Sequence, residues 1–118
     1  MPKEIRLYET ASGNSPVGKF IHNQETKAQA KIIATLRQIQ ETDHPPHRIF
    51  QKMTGTPDLW EVRVKHNTNI YRLLSFFDGS QIIILTHAFQ KKTQKTPSKE
   101  IDTAKQRKAD YLKRKITP

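Results

Sequence analysis

Hydrophobic spacing changes period along this chain, and the changes mark its elements. Between Glu25 and Glu41 the apolar residues Ala28, Ile32, Leu36 and Ile39 recur at intervals of four, four and three, which predicts a helix with one apolar stripe that packs on something flat. From Leu59 to Lys65 the period falls to two: Trp60, Val62 and Val64 alternate with Glu61, Arg63 and Lys65, the pattern of a strand with one face buried. Ile70–Phe77 and Gln81–Phe89 are rich in branched and aromatic residues, and Asp78-Gly79 between them signals a hairpin, so three consecutive antiparallel strands are expected. Upstream, Ile5–Tyr8 predicts a short strand, and Ser15 before Pro16 predicts a cap and first position for a brief helix ending near Asn23. Thr42–Gly55, with Pro45-Pro46, is expected to be a connecting loop. Thr96-Pro97 repeats the cap-then-proline start for a final helix to about Lys115, with a narrow stripe of Ile101, Ala104, Tyr111 and Leu112. The expected fold class is α+β: a single domain over residues 1–118, its small antiparallel sheet formed by three C-terminal strands and an N-terminal one, flanked by two N-terminal helices and a basic C-terminal helix.

Charge sharpens this picture. The 118 residues hold 21 Lys and Arg against 11 Asp and Glu, a net charge of +10, and residues 86–118 alone carry ten basic against three acidic side chains. One dense run, Lys91-Lys92-Thr93-Gln94-Lys95, directly follows an apolar strand, where a sheet end and a helix N-terminus both favour an anion. Nucleic acid leads as the partner, ahead of an acidic protein or an anionic membrane surface. Cysteine is absent, which excludes disulfides, thiol catalysis and Cys-ligated zinc. His44 and His47, separated by two prolines, read as an extended loop and not as a metal site. The longest apolar run, Ile82–Leu85, is far too short for a bilayer, and the N-terminus lacks a signal peptide's apolar region, so a soluble protein that stays where it is made is expected.

Turn geometry then predicts which side chains meet. If His66–Asn69 form a tight turn, Lys65 faces Ile70 and Arg63 lies across from Arg72; if Asp78-Gly79 are the central residues of the next, Arg72 faces Leu85, Ile70 faces His87, and Arg72 and His87 share a face. Two arginines side by side destabilise a sheet unless something anionic lies between them. A phosphate would serve, and so would Glu61, two residues from Arg63 on the same face, as a purely structural ion-pair cluster. The other face, with Trp60, Val62, Val64, Leu73, Ile82 and Ile84, is expected to pack on helices. Phe89 either stacks on a base or is buried under the last helix, and the charges of that helix form either an RNA contact or a solvated face.

The segments Leu59-Trp-Glu-Val-Arg63, Ile70-Tyr-Arg-Leu-Leu74, Leu85–Pro97 and Glu100-Ile-Asp-Thr-Ala104 together resemble the HigB branch of the RelE superfamily, toxins of bacterial and phage-derived type II toxin-antitoxin systems. The resemblance is strong over residues 59 to 112; the earlier helices match in order and size only. It implies a RelE-like twisted sheet flanked by helices, a bacterial cytoplasmic setting, and an endonuclease that cuts messenger RNA in a translating ribosome. It also implies a helix-turn-helix, HigA-like antitoxin as partner, with no cofactor, no metal and no membrane. The implied functional positions are Arg63, Arg72, Lys91 and Lys92. The departure is the proton-transfer residue: related toxins often use a tyrosine or histidine near the sheet end, and here only His87 qualifies, because Tyr71 alternates to the other face and Tyr111 lies on the last helix.

Metal-free RNA cleavage needs a group to deprotonate the 2'-hydroxyl, a group to protonate the leaving 5'-oxygen, and cations to stabilise the phosphorane. Arg63 and Arg72 suit the last task, since a guanidinium holds two phosphate oxygens and stays charged. His87 is the candidate acid or base, with Lys91 as alternative. Lys92, Lys95, Lys65, Arg107 and Lys108 are expected to grip RNA phosphates. A non-catalytic nucleic-acid-binding module or phage regulator stands as the alternative, followed by a structural partner of an acidic protein.

Overall fold

Both faces of the sheet are covered, by different helices, because both faces of its central strands are apolar. The computed structural model describes residues 2–56, 58–90 and 96–116. Among the described residues eight elements follow in order: β1 (Glu4–Leu7), α1 (Pro16–His22), α2 (Thr26–Glu41), β2 (Phe50–Lys52), β3 (Trp60–His66), β4 (Asn69–Asp78), β5 (Ile82–Gln90) and α3 (Ser98–Ile116). The five strands make one sheet in the order β1-β5-β4-β3-β2. The fold is α+β as expected, but the sheet is mixed and not wholly antiparallel, since β1 runs parallel to β5. It also has a fifth strand: β2, inside the segment expected to be a loop, pairs Phe50 with Val62 at the sheet edge.

Helices α1 and α2 cover one face. Ser15 caps α1, its hydroxyl accepting from Gly18 N at 3.1 Å, and Pro16 occupies the first helical position. The α2 stripe is buried as its spacing predicts, with Ala28, Ile32 and Ile39 fully inaccessible, and it meets Val62, Val64, Leu73, Ile83 and Leu85. Truncating a residue as buried as Ile32 to alanine removes about 2–5 kcal/mol. Helix α3 covers the other face, over Leu59, Leu74, Phe76, Ile84 and Phe89, with Ala104 pressed fully into the contact. Leu112, expected in that contact, is exposed; the α3 stripe runs through Ile101, Ala104 and Tyr111.

Two irregularities in the β4–β5 hairpin reset the expected register. Asp78 pairs with Ile82, so Gly79, Ser80 and Gln81 form the connection, and a bulge between Leu74 and Ser75 on one side leaves Thr86 unpaired on the other. Arg72 therefore faces Phe89 instead of Leu85, and His87 faces Leu74 instead of Ile70. The longer turn displaces the partner by an odd number of residues, which flips the face of Ile82 and Ile84: they lie under α3, and Ile83 and Leu85 take the α1–α2 side. The bulge adds one more residue and flips the faces back. Beyond it Arg72 and His87 do share a face, as the sequence predicts, through different partners.

Candidate functional site

Asn67, in the left-handed region at φ 56°, makes the β3–β4 turn tight enough for His66 to pair with Asn69, and this fixes everything upstream of it. Lys65 pairs with Ile70, and Arg63 lies directly opposite Arg72, both on the α3 face. The carboxylate of Glu61 joins them. Arg63 Nη2 donates to Glu61 Oε1 at 3.2 Å, Arg72 Nη1 donates to Glu61 Oε2 at 3.1 Å, and the Thr96 hydroxyl donates to the same Oε2 at 3.0 Å. Glu61 is 3% exposed and Arg72 1%, whereas Arg63 keeps 32% of its side chain accessible. A buried arginine and a buried glutamate at this distance stabilise each other only as a pair.

These groups line an open cleft of about 380 Å³ whose wall also includes Gln51, Lys52, Met53, Thr54 and Ile101. One carboxylate faces two guanidiniums and Lys52, so the cleft is net positive. Arg63 Nε is buried in it and meets no hydrogen-bond acceptor among the described residues. An unsatisfied donor of this kind costs about 1–3 kcal/mol.

The remaining sequence-predicted residues are placed unevenly. His87 does not line the arginine cleft: its Nε2 lies 2.9 Å from Glu100 Oε1, Arg107 Nη1 lies 3.1 Å from its Nδ1, and its ring stacks on Phe89. The expected convergence of His87 with the arginines on one phosphate is therefore corrected, since α3 packs over the imidazole and occupies both its nitrogens. Arg107, expected on RNA, turns inward, donating to the carbonyl of the bulged Thr86 at 2.9 Å. Lys108 lies 5.4 Å from the centre of the Phe76 ring, on the sheet side of α3. Lys65 is exposed on the face that carries Arg63. Lys91, Lys92 and Lys95 fall outside the described residues. Phe89 is 7% exposed and buried beneath α3.

Thr96 is the residue that sequence reasoning missed. It was expected to cap α3, but that helix begins at Ser98, with the Pro97 carbonyl accepting from Glu100 N and Ile101 N, and the threonine hydroxyl is spent on Glu61. The buried carboxylate wins because it is a stronger acceptor than its neighbours and has oxygen lone pairs still to fill.

Farther along α3, two phenol–carboxylate–cation sets tie the helix to the sheet. Tyr111 donates to Asp78 Oδ2 at 2.7 Å beside Lys115, and Tyr8 donates to Asp110 Oδ2 at 2.5 Å beside Arg114. The hydrogen bond from Lys115 holds Asp78 below the usual carboxylate range, the bond from Tyr8 does the same for Asp110, and burial pushes both phenols up. No helix among the described residues is long and apolar enough to cross a membrane, and no group of three His, Asp or Glu there could hold a metal ion.

Against this geometry, the family model described as phage-derived protein Gp49-like (DUF891) matches residues 19–109, from α1 through most of α3. No curated protein matches the chain.

Proposed function

The chain belongs to the phage-derived Gp49-like family, a RelE-like, toxin-related family, and from that premise and the arginine cleft we propose that it is a HigB-type toxin of a type II toxin-antitoxin system. In this reading it is a metal-independent endonuclease that cuts messenger RNA on the translating ribosome and so stops translation. The observation that carries the proposal is the Arg63–Arg72 pair on neighbouring strands, aimed into one open cleft with Arg63 partly exposed and its Nε without an acceptor among the described residues.

In the reaction the 2'-oxygen attacks the adjacent phosphorus and the 5'-oxygen leaves, which yields a 2',3'-cyclic phosphate and a 5'-hydroxyl. Arg63 supplies the charge that the pentacoordinate phosphorus requires, with a fork suited to two of its oxygens. Arg72, almost wholly buried, acts with Glu61 to hold Arg63 at that position. With both nitrogens of His87 engaged, removal of the 2'-hydroxyl proton falls to Lys91, an assignment that rests on sequence alone, and water protonates the leaving 5'-oxygen. The exposed Lys65 extends the positive surface along β3. A helix-turn-helix antitoxin is the proposed protein partner, and the bacterial cytoplasm the proposed setting.

The test is expression of the chain by itself in growing bacteria, with primer extension on cellular messages. Growth should stop and transcripts should show new 5' ends; Arg63→Ala should lower cleavage by at least about tenfold, the equivalent of ~1.4 kcal/mol of transition-state stabilisation. Intact transcripts in translating cells that contain folded wild-type protein would overturn the proposal. One observation favours a second reading, a non-catalytic RNA-binding module: Glu61 already supplies the arginines with an internal counter-charge. That reading requires salt-sensitive RNA binding with no cut message.

A further inference from the structure

A second hollow, of about 370 Å³, opens on the α2 side of the same sheet end. Its walls are Phe50, Trp60 and Phe77, and its rim carries Lys3, His44 and His47. The rings form a tight set: Phe50 and Trp60 stack with centroids 4.8 Å apart and 24° between planes, and Phe77 meets Trp60 edge-on at 5.4 Å and 84°. Phe50 is sealed into the core, but Trp60 and Phe77 are only half-buried and present ring surface to the hollow. The Lys3 ammonium is fixed at the rim by donating to the Thr42 carbonyl at 2.6 Å at the end of α2. His44 and His47 are exposed on a loop stiffened by Pro45-Pro46. The one carboxylate in the lining, Asp43, leaves the rim cationic or neutral.

We propose that this hollow is a nucleobase site, which takes one unstacked base of single-stranded RNA against Trp60 and Phe77 while the rim faces its sugar and phosphate. The proposal rests on the RNA reading above and adds a place where the strand is held away from the cut. Three observations carry it. Aromatic walls accept any base, because every base has a π-face, and the Lys3 ammonium at the rim is a cation for the phosphate that accompanies it. The hollow is large enough for a base and open enough to admit one. It also lies across the short edge strand β2 from the arginine cleft, on the opposite face of the sheet: Phe50 faces the hollow and Gln51 the cleft, Trp60 the hollow and Glu61 the cleft, and Lys52, paired with Trp60, lines the cleft. An RNA strand leaving the arginines over β2 meets Trp60 next.

Trp60 is the single tryptophan of the chain, so its emission reports on this hollow alone. The probe is a short 2'-O-methylated oligonucleotide, which cannot be cut, carrying a dye for anisotropy. Saturable quenching of Trp60 is expected, retained at saturating probe in Arg63→Ala; the exposed-loop double variant His44→Ala/His47→Ala should need about threefold more probe, and Trp60→Leu should bind about tenfold more weakly, within the range for loss of one stacked base. Anisotropy that reports binding while Trp60 emission stays unchanged overturns the site, as does quenching that disappears with Arg63→Ala. Cut messages in cells without quenching sink this inference alone, whereas a probe that binds nowhere together with intact messages in cells sinks the RNA reading with it.

Discussion

Replacing Glu61 by glutamine tests whether the arginine pair is built around an anion. Glu61→Gln keeps the side chain's shape and removes its charge, leaving the guanidiniums of Arg63 and Arg72 facing each other across adjacent strands. Breaking a buried ion pair from one side costs about 3–5 kcal/mol, and the Arg72 contact, with both partners nearly inaccessible, falls in that class. The Arg63 contact is about one-third exposed and adds much less, because water screens it. The amide oxygen retains one acceptor, so the expected loss is about 3 kcal/mol. With a urea slope of about 1–3 kcal/mol per molar, the unfolding midpoint should fall by about 1–3 M. Phosphate should then restore part of the loss, since an anion in the open cleft can supply the counter-charge that the amide lacks: at about ten times its Kd it returns roughly 1.4 kcal/mol. Wild-type protein, whose carboxylate already supplies that counter-charge, should gain less, and its response measures the general effect of phosphate on stability. Equal midpoints for the two proteins, or equal stabilisation by phosphate, would refute the reasoning.

Acid should loosen the far end of α3 before the rest. Asp78 and Asp110 have carboxyls depressed in the folded state by bonds from Lys115 and Tyr8, so their contribution is present above the unfolded carboxylate pKa of ~3.9 and is lost as pH falls through the lower folded value. Hydrogen exchange along α3 should rise below that point in wild-type protein, and a flat response there would contradict the assignment; the double variant Asp78→Asn/Asp110→Asn should exchange faster already at neutral pH. Arg107→Ala should destabilise the protein by about 1.5–3 kcal/mol, as expected for a charge-assisted bond to the bulged Thr86 carbonyl, and the imidazole resonances of His87 should shift with it. Ser15→Ala should cost about 1 kcal/mol in thermal unfolding, and Gly18→Ala should cost something too, since a methyl at Gly18 would stand 2.9 Å from the Ser15 hydroxyl oxygen.

What was legible in the sequence depended on range. The α2 stripe and the Ser15-Pro16 start are local patterns, and the structure reproduces them because nothing distant competes. The Arg63–Arg72 pairing was legible for the same reason: nine residues and one tight turn determine it. Strand β2 was not, because three residues ending in Gln51-Lys52 carry no alternation and become a strand only when β3 offers an edge. The parallel docking of β1 on β5 joins residues about two-thirds of the chain apart, beyond the reach of any periodicity. The bulge at Thr86 has a local cause, the bond from its hydroxyl to the Leu74 carbonyl at 3.1 Å, but threonine in a strand is too ordinary to announce it. At the site, the arginines and Glu61 were readable from alternation along β3. The sequestering of His87 was not, because Glu100 and Arg107 reach it only once α3 has docked.

The cleft draws its lining from Gln51 through Ile101, and β1 gains its partner only when residues 82–85 arrive. During synthesis, therefore, an emerging chain holds Arg63 and Arg72 well before it holds Thr96, and its first strand waits with an open edge until β5 has emerged. The cleft is complete only once the start of α3 has joined it, and until then Glu61 lacks the third of its hydrogen bonds.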